Sequence, residues 1–316
     1  MNVRSGQDIR SAFDGAVPVG AGPFSPHDVK AFLIVNPASG GYARQKIAAA
    51  VEALRSAGIQ PRLFSIGSPA EAAACCRTIY WTCGEPLVIV AAGDGTINAV
   101  LNGLRPATAT LAVLPLGTSN VLAAELGIRS VQDGVARIAA GRSRSLSIGV
   151  VDRDGNSLRF ALMAGCGLDG AVVRDVRPTE KRRLKQGAFA LAALRNCLSW
   201  DTGRVEVTTP IGTLTCHSVV VNNSARYGGN FVLAPRSDIF TPGFTVTCVT
   251  HSRRRTYAGI LLDLARGKAS ANASLQQVMA TALEIGGSKP IQVDGDFLGY
   301  GPARLRAVAD FAQIVA

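Results

Sequence analysis

The sequence predicts an α/β domain on an open, doubly wound sheet, followed by a mainly antiparallel β domain. Three observations carry that reading. The 316 residues, at about 150 per domain, are enough for two cores. Between Val29 and about Gly141 short apolar runs alternate with amphipathic stretches, as β-α units around a parallel sheet require. After Arg142 the texture turns to period-2 stretches rich in Val and Thr, the habit of strands with one face in a core. The domains so drawn are a leader over 1–28, an α/β domain over 29–142 and a β-rich domain over 143–316. The extreme C-terminus is left open to packing back on the first domain.

The leader is rich in Gly and Pro and lacks periodicity, so folding is expected to start near Val29. The α/β part then offers strands over Ala31–Val35, Arg62–Ser65, Leu87–Ala91 and Leu111–Leu114. Between them lie helices over Tyr42–Ala57, closed by Gly58, over Glu71–Thr82 and over Ile97–Leu104. The β-rich part reads as strands over Ser147–Asp152, Arg204–Thr209, Thr213–Asn222, Phe244–Thr250 and Ile291–Asp294. Asp154-Gly155, Pro210-Ile211-Gly212 and Pro242-Gly243 mark turns, and helices near Ala188–Ser199 and Thr256–Arg266 interrupt the strands.

Composition narrows the function classes. A chain 47% hydrophobic and 17% charged is not a disordered one. The longest apolar stretches, Pro86–Ala92 and Leu111–Leu116, fall far short of the roughly 20 residues that span a bilayer. The N-terminus carries Asp8 and Asp14 and no apolar core of a signal peptide, so the expected address is cytoplasmic. Seven cysteines without C-x-x-C spacing, including Cys75, Cys76 and Cys83 on one expected helix, read as free thiols of a reducing compartment. The sequons at Asn222 and Asn272 are then incidental, and the three histidines, in unrelated contexts, make no metal cluster. A net charge of +11 favours an anionic partner: nucleotide, nucleic acid or acidic membrane. No interleaved basic and aromatic strip supports nucleic acid.

Three Gly- and hydroxyl-rich turns each follow an expected strand, at the carboxyl edge where parallel sheets bind ligands. The first, Asn36-Pro37-Ala38-Ser39-Gly40-Gly41, offers amides and a hydroxyl at a helix start, the ingredients of an anion cradle. In the second, Gly93-Asp94-Gly95-Thr96-Ile97-Asn98, two glycines allow close backbone approach and Asp94 can act on a metal or nucleotide. Thr96 is placed to cap the next helix. The third, Pro115-Leu116-Gly117-Thr118-Ser119-Asn120, repeats the order. Each has a plain reading as a loop, a tight turn or an N-cap. Val293-Asp294-Gly295-Asp296 places two carboxylates around a glycine. A hairpin turn explains it, and so does a base that must accept a hydroxyl proton.

Together, in this order and spacing, Asn36-Pro37-x-Ser39-Gly40, Gly93-Asp94-Gly95-Thr96-x-Asn98, Pro115-Leu116-Gly117-Thr118-x-Asn120 and Asp294-Gly295-Asp296 resemble the catalytic domain of the diacylglycerol kinase and sphingosine kinase superfamily, above all its soluble bacterial lipid kinases. Ala164-Gly165-x-Gly167-x-Asp169, Asn223-Ser224 and Gly228-Gly229 are weaker likenesses. The resemblance runs from about Val29 to the C-terminus. It implies a nucleotide-binding domain like that of NAD kinases and phosphofructokinases joined to a β-rich lipid-substrate domain, with ATP and substrate meeting in the cleft. Gly93, Asp94, Gly95, Thr96 and Asn98 would surround ATP phosphates, and Gly117 and Thr118 would line the nucleotide, with Asn120 beside them. Asn36 and Ser39 would support the site, and Gly40 and Ser65 join the cofactor-lining set. Asp294 would be the base, with Asp296 and Asp94 the other catalytic carboxylates. Mg²⁺ is implied because phosphate sites hold it through few carboxylates plus the phosphates.

Four departures from the family pattern bear on this. Ala92 replaces the first glycine of Gly-Gly-Asp-Gly-Thr, and Asp296 the usual glutamate after Asp-Gly. Val121 stands where many members carry aspartate. Thr241-Pro242-Gly243 replaces an Asp-Gly landmark, which puts a structural metal site in doubt, with Asp238 a weak substitute. The resulting expectation is an ATP-dependent kinase of diacylglycerol or a related lipid. A kinase of a soluble substrate and a catalytically weak lipid-binding protein are the alternatives. Arg174–Lys185 carries six basic residues against Asp175 and Glu180, which suggests a basic loop that docks on anionic headgroups. A homodimer is left open.

Overall fold

The computed structural model describes residues 30–184, 187–229 and 231–316. The expected leader over 1–28, and Lys185 at the end of the basic stretch, lie outside the described residues. The chain divides into two compact units. The first holds 30–117, Leu126–Arg144 and Ala312–Ala316, and the second Thr118–Glu125 and Ser145–Phe311.

The first unit is a parallel sheet flanked by helices. Its strands are β1 (Ala31–Val35), β2 (Arg62–Ser65), β3 (Leu87–Ala92) and β4 (Thr110–Pro115), and its helices α1 (Arg44–Ser56), α2 (Ala72–Thr82) and α3 (Asp94–Gly103). The spatial order is β2-β1-β3-β4. β1 and β3 are buried along their whole length, as continuous Val, Ile and Leu runs covered on both faces must be. The register sets Val35 level with Ser65 and with Ala91, so successive strands end at one edge. α1 buries Ile47, Ala50, Val51 and Leu54, an i, i+3, i+4, i+7 stripe. Gln313 and Ile314 pair in parallel with Thr110 and Leu111 of β4, so five residues from the far end of the chain complete this sheet.

α3 starts three residues earlier than its apolar periodicity suggests. Gly93 is the extended N-cap, and its carbonyl accepts from the amides of Thr96 (3.0 Å) and Ile97 (3.1 Å). Thr96 is therefore not the cap, as the sequence reading had it, but a buried residue of the first turn. Cys83 lies just past the end of α2 rather than on it.

In the second unit α4 (Val121–Glu125) comes first, and α5 (Val131–Ala140) returns to the first unit. Then follow β5 (Ser143–Arg153), β6 (Asn156–Phe160), β7 (Met163–Cys166), α6 (Leu168–Asp175), α7 (Pro178–Leu184) and α8 (Gly187–Leu198). Next are β8 (Val205–Thr209), β9 (Gly212–Cys216), β10 (Ser218–Asn222), the short β11 (Arg226–Tyr227) and β12 (Phe231–Val232), β13 (Phe244–Val249) and α9 (Arg254–Ala265). The last are β14 (Leu275–Ala280), β15 (Ala282–Ile285), β16 (Pro290–Val293), β17 (Asp296–Tyr300) and β18 (Ala303–Val315). One antiparallel sheet runs β14-β13-β10-β7-β16-β17, and β9, β8, β15 and β18 pair in a second. Val207, Leu283 and Leu305 of the second sheet share a core with Val219, Phe244 and Ile291 of the first. Gly149 is required there, because a Cβ would fall inside the ring of Phe160, which stacks on Phe244 at 5.7 Å.

Two readings need correction. Thr213–Asn222 is not one strand: β9 ends at Cys216, and after His217 the chain enters the other sheet as β10. The basic stretch is not a loop. Arg174 lies in the last turn of α6, and Pro178–Leu184 form α7, where Glu180 is taken up by Arg195 of α8 at 2.8 and 2.9 Å.

Candidate functional site

The first two glycine turns and the start of the third meet at the carboxyl edge of the parallel sheet. Asn36 is buried after β1, its Nδ2 donating to Thr96 Oγ1 at 3.0 Å and its Oδ1 accepting from the Ala38 amide at 2.9 Å. Ser39 donates its amide to the Asn36 carbonyl (3.0 Å), and Gly41 donates to the Leu116 carbonyl (2.8 Å). A Cβ on Gly41 would lie 2.9 Å from that carbonyl oxygen, and one on Gly93 3.0 Å from Gly117 Cα. These glycines are needed for backbones to touch. Gly95 differs, since no atom stands within 4 Å of its Cβ position. Its open side lies at the N-terminus of α3, where amides and the helix dipole favour an anion.

Asp94 occupies the first turn of that helix, partly exposed. Asn98 is buried on the next turn, its Oδ1 accepting from Asn102 Nδ2 at 3.0 Å. Gly40 is exposed beside Ser39. Ser65 stands apart, exposed at the end of the edge strand β2. Thr118 and Asn120 belong with the second unit. There Thr118 is exposed, and Asn120, with φ 48°, gives its carbonyl to the Ala124 amide at the start of α4. Glu125 at the end of α4 accepts from the Ala225 amide at 3.0 Å, and burial pushes its carboxyl above the ordinary carboxylate range.

Asp294-Gly295 is a hairpin turn between β16 and β17, both residues in the left-handed region (φ 47° and 87°), which Asp and Gly tolerate and which matches the strand twist. The Asp294 carboxylate is buried and turned onto the link between β6 and β7. Its Oδ2 accepts from the Ala161 amide (2.9 Å) and its Oδ1 from Leu162 (3.0 Å) and Met163 (2.9 Å). Three amide donors stabilise the anion and take three of its roughly four acceptor sites. The carboxylate that the sequence reading takes as the proton acceptor thus also fastens the 161–163 link. Asp296, at the first position of β17, is the exposed carboxylate of the pair.

Sequence reasoning missed what holds this turn. Gln292 accepts from the Gly295 amide at 2.8 Å and donates to Asp169 Oδ2 at 2.6 Å, and Tyr227 donates to Asp169 Oδ1 at 2.5 Å. Burial raises both the Asp169 carboxyl and the Tyr227 phenol above their ordinary ranges. Gly165 lets Asp169 sit there, since a Cβ would strike the carboxylate. Asn223 donates to the carbonyls of Ser147 (3.0 Å) and Ala161 (2.7 Å), clamping the same link from the other side. The Gly165-x-Gly167-x-Asp169 and Asn223-Ser224 motifs were the only signal for these residues.

Hard oxygen donors suit Mg²⁺, and the Asp94 carboxylate beside an anion-favouring helix start meets that requirement. Among the described residues no group of three or more His, Cys, Asp and Glu side chains could hold a metal ion. Asp238 instead holds its own turn, accepting from the Phe240 amide (3.1 Å) and from Thr241 Oγ1 (3.3 Å). Ala92 is fully buried as the last residue of β3, so its methyl packs in the core. All seven cysteines are free thiols.

Fold and motifs together define a two-domain kinase. Residues 30–151 match the family model of the diacylglycerol kinase catalytic domain, and residues 163–316 that of the YegS C-terminal NAD kinase beta sandwich-like domain. The chain belongs to this family of lipid kinases. It is 29% identical to the diacylglycerol kinase of Bacillus subtilis, across 68% of this chain and 73% of that one. With the diacylglycerol kinase of Mycobacterium tuberculosis it shares 25% identity across 93% and 98%. A Bacillus anthracis crystal structure has the same fold at a TM-score of 0.76 and 21% identity, covering 90% of this chain and 94% of that one.

Proposed function

We propose that the protein transfers the γ-phosphate of ATP to a hydroxyl of diacylglycerol or a related lipid: a sphingoid base, a ceramide or a monoacylglycerol. The observation that carries this reading is the open face of Gly95 at the start of α3, stitched to the Asn36–Gly41 and Leu116–Gly117 turns. Amides of that turn would donate to the phosphates, and Asp94 would hold Mg²⁺, which when bound would supply positive charge to neutralise them. Asn36 fixes the turn through Thr96 and does not itself need to touch ATP.

In the second unit Asp296 is the general base. As the lipid oxygen bonds to the γ-phosphorus and the bond to the ADP oxygen breaks, its carboxylate accepts the hydroxyl proton. Asp294 and Gln292 position it. An aspartate in place of glutamate brings the acceptor hydroxyl about one methylene nearer the strand. The reading also places the protein at the cytoplasmic face of a membrane.

Incubation with labelled ATP, Mg²⁺ and a panel of diacylglycerol, monoacylglycerol, ceramide and sphingoid bases, followed by lipid chromatography, tests this. Labelled lipid is the expected product. Label confined to NAD or a sugar would replace the acceptor class, and no turnover with any of them would leave a lipid-binding protein of this fold.

A further inference from the structure

Helix α8 is amphipathic in the wrong sense for a solvated surface. Its polar side chains turn inward: Arg195 bonds both oxygens of Glu180 and the Asp175 carbonyl, and Asn196 is buried, donating to Asp175 Oδ2 at 3.0 Å. Its outward positions are Gly187, Ala190, Leu194 and Leu198, with Leu194 60% and Leu198 79% exposed. At i, i+3, i+7 and i+11 these make one continuous stripe. An exposed apolar stripe on a helix whose charges are internally consumed marks a surface that meets something apolar.

Three neighbours say what that something is. Leu184 at the end of α7 is half exposed, and the same helix and its approach carry Arg177 and Arg183, both exposed. The Arg177 guanidinium approaches Glu180 at 3.9 Å, and that carboxylate is already bonded to Arg195. At the end of α6, Arg174 donates to Tyr300 Oη at 3.4 Å, and Tyr300 meets Phe297 edge to face at 5.7 Å, both rings exposed. Amphipathic aromatics, apolar side chains and a rim of cations are what a bilayer interface selects. β17, which carries the two rings, begins at Asp296.

We infer that the outward stripe of α8 inserts shallowly into an anionic phospholipid bilayer, with Arg177 and Arg183 on the headgroups. This rests on the lipid-kinase reading and names the surface on which that reaction occurs. It also revises the docking expected from charge alone: apolar insertion adds a part that salt does not screen.

The test is co-sedimentation of the full chain with phosphatidylcholine vesicles containing none or about 40% phosphatidylglycerol, without ATP, at low and high salt. Leu194→Ser with Leu198→Ser should lower partition onto the anionic vesicles at least tenfold at either salt. Arg177→Ser with Arg183→Ser should lower it several-fold at low salt only. The leucine variant should keep wild-type turnover on detergent-dispersed lipid, which shows an intact fold. Leu198→Ser alone supplies the same reading if the double variant does not fold. Unchanged partition of the leucine variants would overturn the inference. So would a lipid-free wild-type dimer that they dissociate, since the stripe would then belong to a second copy. Leucine-dependent vesicle binding without phosphorylation of any lipid would defeat the kinase reading and leave the docking surface standing.

Discussion

Replacing Asp294 by Asn separates a base from a fastener. The carboxylate accepts three amide hydrogen bonds from Ala161, Leu162 and Met163, each of the charge-assisted kind. An Asn carbonyl can serve Leu162 and Met163, but its NH₂ then faces the Ala161 amide, donor against donor. One buried amide left unpaired costs about 1–3 kcal/mol, and loss of charge weakens the two remaining bonds by about 1 kcal/mol in all. The expected destabilisation is about 2–4 kcal/mol, with no backbone contribution because Asn also tolerates φ 47°. Asp296→Asn, at an exposed position, should leave stability within about 0.5 kcal/mol and reduce kcat by about 10² or more. Urea unfolding followed by circular dichroism reads the first quantity, and labelled-phosphate transfer in detergent the second. Wild-type stability in Asp294→Asn together with a hundredfold loss of kcat, and full activity in Asp296→Asn, would refute the reasoning and restore Asp294 as the base.

Four further outcomes are expected. Asp94→Asn should abolish phosphate transfer while the melting temperature stays unchanged, as differential scanning fluorimetry and the transfer assay would show. Gly95→Ala meets open space in the free protein, so it should stabilise α3 by up to about 1 kcal/mol yet raise the KM for ATP at least tenfold. Gln292→Leu removes the bond to the Gly295 amide and should lower kcat more than it changes the KM for ATP. Stability should fall on acidification below pH about 6.5, because burial holds His217 below its ordinary value of 6.5, and its ring is bonded to the Asp201 carbonyl (2.7 Å) and to Tyr257 Oη (2.5 Å). The unfolded chain then binds the extra proton, so the stability is intact above pH 6.5 and is lost as pH drops toward the folded-state value. His217→Gln should flatten that part of a urea-midpoint profile.

The parallel sheet was legible because β1, β3 and β4 are buried on both faces and their apolar runs stand out. The start of α3 was not, since Asp94-Gly95-Thr96 lacks the apolar spacing that marks a helix and is helical through the amides bonded to Gly93. α6 and α7 were hidden by their charge, which is satisfied across helices by Arg195 and Asn196 rather than by water. The glycine turns suggested an anion site, but not that Gly41 and Gly93 serve backbone contact while Gly95 faces open space. The two carboxylates of Asp294-Gly295-Asp296 look alike in sequence. Only the fold shows that one is spent on amides, because the donors lie more than 130 positions away.

The five residues Ala312–Ala316 complete the first sheet at β4, some 170 positions after Ser143, whose hydroxyl meets Gln313. During synthesis, therefore, the first unit waits with one side of β4 unpaired until the whole second unit has been made. An unpaired strand edge is a template for aggregation, and pairing across such a separation is slow. A recombinant fragment cut at the change of texture near Arg142 would carry that bare edge permanently. A workable fragment would graft the last strand directly after α5.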